Sequence, residues 1–230
     1  MELAGRIGLS EGRYLVREGD EERVLIVQEL GGPRPGRRGR RRMKPVEPSE
    51  PEPVPVTLVT VTGHRVASAE EGSAWMKRAT RERALGADEI RATTRIVNRA
   101  LGAVRAAAQD PLVQEIGATR ALAIRLGHGT GDELAEGRWT EAVELPNRRR
   151  GRLDEVDPQS RLAAVLAGRD GVHPAETLML RARLDAEQGR IEEARYGLRA
   201  AQAALDEVPS DRAKELKGQL EAVREKIQGS

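Results

Sequence analysis

Few residues in this chain have the chemistry of a catalytic site, and their spacing is poor. The three histidines, His64, His128 and His173, stand far apart, with no metal-binding interval between them. Cysteine is absent, which excludes disulfides and thiolate metal sites. No His-Glu-x-x-His zinc helix, Gly-x-Ser-x-Gly nucleophile elbow or dinucleotide-binding glycine fingerprint occurs. His128 has the most suggestive surroundings, LGHGTGDELAEGRW. Glycines at 127, 129 and 131 could turn backbone N–H groups toward an anion, with Asp132 and Glu133 opening a helix behind them. The Gly127–Glu133 segment nonetheless lacks the Gly-Lys-Ser/Thr ending of a phosphate loop, and its two acids would repel phosphate. A loop between two helices is the plainer expectation. An enzyme built on this segment therefore ranks last, and no catalytic, metal or cofactor-binding residue is assigned. His173, beside Pro174, reads as the residue that opens a helix.

The chemistry that stands out is electrostatic. Between Pro33 and Lys44 lie seven basic residues and no acid: Arg34, Arg37, Arg38, Arg40, Arg41, Arg42 and Lys44. Arg148, Arg149, Arg150 and Arg152 form a second acid-free cluster. The net charge of +2 conceals this arrangement, since setting the eleven aside leaves 28 basic against 37 acidic residues. The chain reads as an acidic body carrying two basic segments. Guanidinium groups stay ionised and present a planar fork of donors, so such clusters suit phosphates. Counterion release would then favour nucleic acid by a sequence-independent route. No Tyr, Phe or Trp stands near the first cluster in sequence to stack on bases. Arginine outnumbers lysine 34 to 5. Together with abundant Ala and Gly this matches a GC-rich bacterial genome, so a purely solubilising segment is a competing reading.

These segments need elements to position them. Arg13 to Arg17 and Val24 to Leu30 carry Tyr, Leu, Val and Ile around Gly19-Asp20-Glu21-Glu22, the pattern of a β-hairpin. Residues 33–53 hold little that could be buried, and repeated proline blocks regular structure, so they read as a disordered linker or long exposed loop. Val54 to Thr62 then reads as a third strand, giving a three-stranded sheet interrupted by an insertion. From Ser68 the period becomes helical. Ser68 and Glu71 have capping-box spacing, and that helix is expected to reach Leu85-Gly86. Asp88 should begin a second helix, with Ile90, Thr94, Val97, Leu101, Val104 and Ala108 on one face. Asp110-Pro111 should begin a third, with Leu112, Ile116, Thr119, Ala123 and Leu126 aligned, antiparallel to the second. Asp157-Pro158 opens a short helix containing Leu162, Val165 and Leu166. Ala213, Leu216, Leu220, Val223 and Ile227 mark a final amphipathic helix, which packs internally or pairs with another copy as a coiled coil.

Between them lies the clearest local pattern, Ala175 to Asp206. Pro174 suits a first helical turn, Gly189 suits a turn in the left-handed region, and Ile191, Ala194, Leu198, Ala201 and Leu205 share one face. This segment resembles a single tetratricopeptide-type helical hairpin. Ala182, Ala194 and Ala201 match the small residues at that family's helix crossings, Glu193-Ala194 its Glu-Ala pair, and Leu198 a large apolar position. Leu178 stands where the family often has an aromatic residue, Arg181 and Asp185 at sites usually apolar or aromatic, and Asp206 in place of a closing proline. The resemblance covers about a seventh of the chain, with no second full copy. It implies a helical scaffold that binds other proteins rather than performing chemistry.

The expected fold is α+β: a small N-terminal antiparallel sheet over 1–62 interrupted by the 33–53 linker, a helical region over 63–156, and the hairpin with a capping helix over 157–230. At 38% hydrophobic residues and no Phe, the core must come from Leu, Val, Ile and Ala. The opening MELAGRIGLSEGR lacks the regions of a secretion signal, and no apolar run approaches the roughly 20 residues of a membrane helix. A soluble cytoplasmic protein without cofactor is expected. The first functional expectation is an adaptor with a protein partner. The second is a nucleic-acid- or ribosome-associated factor contacting phosphates through 34–44 and 148–152, and self-association is a further possibility.

Overall fold

The computed structural model describes residues 1–18, 21–31, 54–63, 67–135, 137–145, 156–205 and 210–228. The chain is α+β and divides into two compact units, Met1–Arg149 and Arg150–Ser230.

The first unit is built on an antiparallel sheet. β1 (Glu2–Ala4), β2 (Gly12–Glu18), β3 (Glu21–Leu30), β4 (Val56–Thr62) and β5 (Ala121–Ala123) lie in the order β2-β3-β4-β1-β5. The three expected strands are its β2-β3-β4 side. β2 and β3 pair from Gly12↔Val27 to Glu18↔Glu21, and β3 and β4 from Val24↔Thr62 to Leu30↔Val56. Strand alternation sends Leu25, Val27 and Val59 into the core, where they join Ile96, Val97 and Leu101. The last three share a face of α2 (Arg83–Ala108), which follows α1 (Ala69–Arg81).

The caps of α1 form largely as the sequence indicates. The Ser68 hydroxyl accepts from the Glu71 N–H at 3.2 Å, and the Glu71 carboxylate accepts from the Ala67 N–H at 2.6 Å. The helix breaks earlier than Leu85-Gly86, however, at Glu82, whose φ and ψ of −87° and 95° are extended. The break turns α2 back onto α1 so closely that a Cβ on Gly86 would lie 2.8 Å from the Ala79 carbonyl oxygen. Gly86 is thus a packing residue inside α2 rather than a helix end.

The expected third helix over 111–126 does not form. Asp110 accepts from the Leu112 N–H at 2.9 Å, making a turn, and Leu112 is exposed. The buried Asn98 side chain of α2 then takes both backbone groups of Ile116, donating at 3.0 Å and accepting at 2.8 Å. With those groups satisfied elsewhere, a helical ladder through Ile116 loses its partners. A 3-10 turn at Ala118–Arg120 leads into β5, which completes the open side of β1 through Leu3↔Ala121 and Glu2↔Ala123. β6 (Arg125–His128), α3 (Gly131–Ala135) and β7 (Glu141–Glu144) follow, with β6 and β7 paired antiparallel. The three- and four-residue apolar spacing was thus fitted equally well by short strands and a turn.

The second unit comprises α4 (Val156–Leu166), α5 (Pro174–Glu187), α6 (Ile191–Ala204) and α7 (Ser210–Gln228). His173 is the N-cap of α5, its Nδ1 accepting from the Ala175 N–H at 3.2 Å. Gly189 takes φ 74° between α5 and α6. Ala182, Ala194 and Ala201 are fully buried, and a Cβ on Gly197 would sit 3.0 Å from that of Ala182. Two backbones approach closely there because nothing larger intervenes. Leu216, Leu220, Val223 and Ile227 of α7 bury their stripe against α5 and α6, so packing within the unit occupies the surface considered for a coiled coil. Among the described residues, no helix is long and apolar enough to cross a membrane.

Candidate functional site

All eleven residues singled out for anion contact, Arg34 to Lys44 and Arg148 to Arg152, lie outside the described residues, as does His64. Leu30↔Val56 is the last pair of the β3–β4 ladder, and the first cluster lies between these two residues in the sequence.

His128 is the residue the structure changes most. It belongs to strand β6, not to a loop between helices, and only 9% of its surface is exposed. Its ring rests where Gly72 of α1 has no side chain, and a Cβ there would lie 2.6 Å from the ring Cγ. His128 Nε2 lies 3.4 Å from Ser73 Oγ and 3.6 Å from the Glu141 carboxylate of β7. The Ser73 hydroxyl donates to that same carboxylate. This hydrogen bond is the main reason the Glu141 carboxyl titrates below its usual 4.5; desolvation opposes the shift and His128 reinforces it. A serine relay needs hydroxyl and carboxylate on opposite ring nitrogens. Here both meet Nε2, and the carboxylate accepts the serine proton directly. The cluster is a polar clamp joining α1, β6 and β7.

The glycines beside His128 are places of close packing. A Cβ on Gly127 would come within 2.6 Å of both Trp139 Cε3 and the Glu141 carbonyl oxygen. Ser73 and Glu141 were not foreseen from sequence. The available signal was Gly72, a glycine inside a helix, which marks a close approach by another element.

Next to the clamp, an open groove of about 1110 Å³ runs between α1, the first half of α2, β4 and the β6–β7 segment. Trp75, Trp139 and His128 line it together with apolar residues such as Leu58, Ile90 and Leu134. Its charged lining comprises Arg23, Arg78, Arg125, Glu2, Glu22, Glu71 and Glu89. Most have partners: Arg125 binds Glu2, Arg23 binds Glu21, and Glu22 binds Arg17. The Met1 ammonium, which donates to the Val59 carbonyl at 2.7 Å, is lowered by burial to about 6. It is largely uncharged at neutral pH.

No protein-family model, curated protein or solved structure matches this chain. Function follows from residues and geometry alone.

In the second unit the notable charge is Asp185, almost fully buried on α5. It accepts from Arg181 at 3.1 Å and from Arg190 at 2.6 Å. Arg181 and Asp185, the two polar departures from the tetratricopeptide pattern, therefore pair with one another. Arg161 of α4 binds the buried Glu176 of α5 and reaches Asp170 at 3.2 Å. These carboxylates are saturated by arginine and hold helices and turns in place. Among the described residues no group of three His, Asp or Glu side chains could hold a metal.

Proposed function

We propose that the chain is a non-enzymatic interaction protein whose helical unit docks an amphipathic helix of a protein partner. One observation carries this reading. Leu162, Leu166, Val172 and Leu180 are exposed by 49%, 79%, 56% and 57%, on α4, the α4–α5 connection and α5. α5, α6 and α7 bury their own stripes against one another, so these large apolar side chains are left over from the unit's core. The Arg161–Glu176 pair fastens α4 to the first turn of α5 and keeps the exposed residues on neighbouring elements. Apolar groups set among ion pairs are the usual marks of a protein contact surface. The tetratricopeptide resemblance of residues 175–206 points the same way. A helix laid onto helices would bury such groups by the ridge packing that already joins α5 and α6.

Pulldown from the native organism tests this. The wild-type chain should retain a protein partner after nuclease treatment, and Leu166→Glu with Leu180→Glu should lose it at an unchanged melting temperature. Equal retention by the double variant refutes the docking surface.

A second reading is favoured by charge: seven basic residues and no acid lie between Pro33 and Lys44 in the sequence. In this reading 34–44 and 148–152 contact nucleic acid. If all seven of the first cluster meet duplex phosphates, log affinity should fall with log salt at a slope of about −6. Deleting 34–44 should remove most of it. Unchanged retention on heparin and duplex DNA after the deletion eliminates this alternative.

A further inference from the structure

We infer that the groove of the first unit is a binding site for an organic cation carried on an apolar body. The chain has two tryptophans and no phenylalanine, and both tryptophans line this one groove, partly exposed. The fold does not need Trp75 there. α1 turns Gly72, Met76 and Ala79 into the interior, and Trp75 occupies the neighbouring face with Glu71, Ala74 and Arg78. Trp139 arrives from the far side, lying over Gly127. Two indole faces with aliphatic neighbours make a wall suited to an apolar body and to a cation above a π surface.

The charges select the sign. Glu2, Glu22 and Glu71 are engaged, the last by the Ala67 N–H. Glu89 of α2 is half-buried in the groove lining, and among the described residues its carboxylate makes no hydrogen bond or ion pair. The Arg78 guanidinium likewise has no partner among the described residues, but it is exposed in the last turn of α1, where the helix dipole favours a cation. A ligand anion at that solvated position would gain about fivefold at most. A ligand cation between a half-desolvated carboxylate and indole faces gains about tenfold or more. The ligand class is therefore an alkyl or aryl ammonium. This site lies in the first unit and is independent of the docking surface proposed for the second.

Since both tryptophans line the groove, the intrinsic emission of the full chain reads it directly. Octyltrimethylammonium, octanoate and octanol, used below their aggregation limits, share a body and differ in head charge. The ammonium should produce a saturable emission change at a concentration about tenfold lower than octanoate. Glu89→Gln should weaken the ammonium about fivefold and leave octanol unchanged, with near-ultraviolet circular dichroism confirming its fold. Octanoate binding as tightly as the ammonium, or no saturable change with any probe, overturns the assignment. So does an unaltered ammonium affinity in Glu89→Gln. Should that variant not fold, the head-group order in the wild-type chain decides alone.

Discussion

In α5–α7 the buried apolar side chains meet a neighbouring helix through residues spaced three or four apart, whereas His128 of β6 is held by residues of two other elements, α1 and β7. The first arrangement is repetitive and small-grained: Ala182, Ala194, Gly197 and Ala201 let backbones touch, and no large aromatic fills the space. The second is singular. Gly72 makes room for one ring, Gly127 for one indole, and Ser73 with Glu141 satisfies one nitrogen edge. The repetitive unit tolerates polar departures when they pair, as Arg181, Asp185 and Arg190 do. The singular unit has a groove and unmatched charge beside it, the condition for holding a ligand. Both tryptophans lie in the first unit, so their emission follows that unit, while far-ultraviolet circular dichroism follows the helices of both.

The comparison is broken most forcefully at Ala194, which is completely buried at the α5–α6 crossing. Ala194→Arg should destabilise the second unit by at least ~3 kcal/mol, because it forces volume and an unpaired charge into a closed contact. For a unit of this size that lowers the midpoint by more than about 10 °C. The helical transition should move while the tryptophan transition stays. A midpoint within a degree of the parent refutes the close crossing, and joint movement of both signals refutes independent units.

Gly72→Ala is the counterpart in the first unit. The added methyl meets the His128 ring, held in turn by Ser73 and Glu141. Displacing it should cost about 1–3 kcal/mol and lower the tryptophan midpoint, leaving the second unit's helical transition in place. A parental midpoint would mean the ring shifts freely and that the clamp is loose.

The same contrast explains what could be read in advance. The hairpin, its Gly189 turn and the His173 cap were legible because helix periodicity and caps are written within a few adjacent residues. Strands β2, β3 and β4 were legible because β-branched runs and turn residues flank them, even with the 33–53 segment between. β1 and β5, three residues each, carry no period, and β5 exists only because the edge of β1 lacked a partner. Asn98 could not be foreseen as the clamp on Ile116, since nothing local distinguishes it from any helical asparagine. Ser73, Trp75, Glu89 and Trp139 share a neighbourhood only after α1, α2 and β6–β7 have packed. Gly72 and Gly127 were the only local traces of that site, and a glycine tells that something approaches without telling what.

The finest test of the contrast is Ser73→Ala. The serine hydroxyl is the chief cause of the lowered Glu141 titration, with His128 adding to it. A carboxyl depressed in the folded state contributes stability that is present above its ordinary range and lost as pH falls through its folded value. The parent should therefore lose stability through this group as pH falls through and below the ordinary carboxylate range, and Ser73→Ala should lose less over the same fall. The carboxylate is solvated, so the change in midpoint is small and the titration itself is the better readout. In Ser73→Ala, carboxyl NMR should show Glu141 moving up toward 4.5, short of it because His128 remains. An unmoved Glu141 would place the source of the shift on His128 and reduce the clamp to a two-residue contact. A moved one, with the second unit's acid transition unchanged, would show that the polar network of the first unit acts through single bonds. The arginine–carboxylate pairs around Asp185 and Glu176 offer the opposite case, since each carboxylate there has more than one arginine or a helix start to hold it.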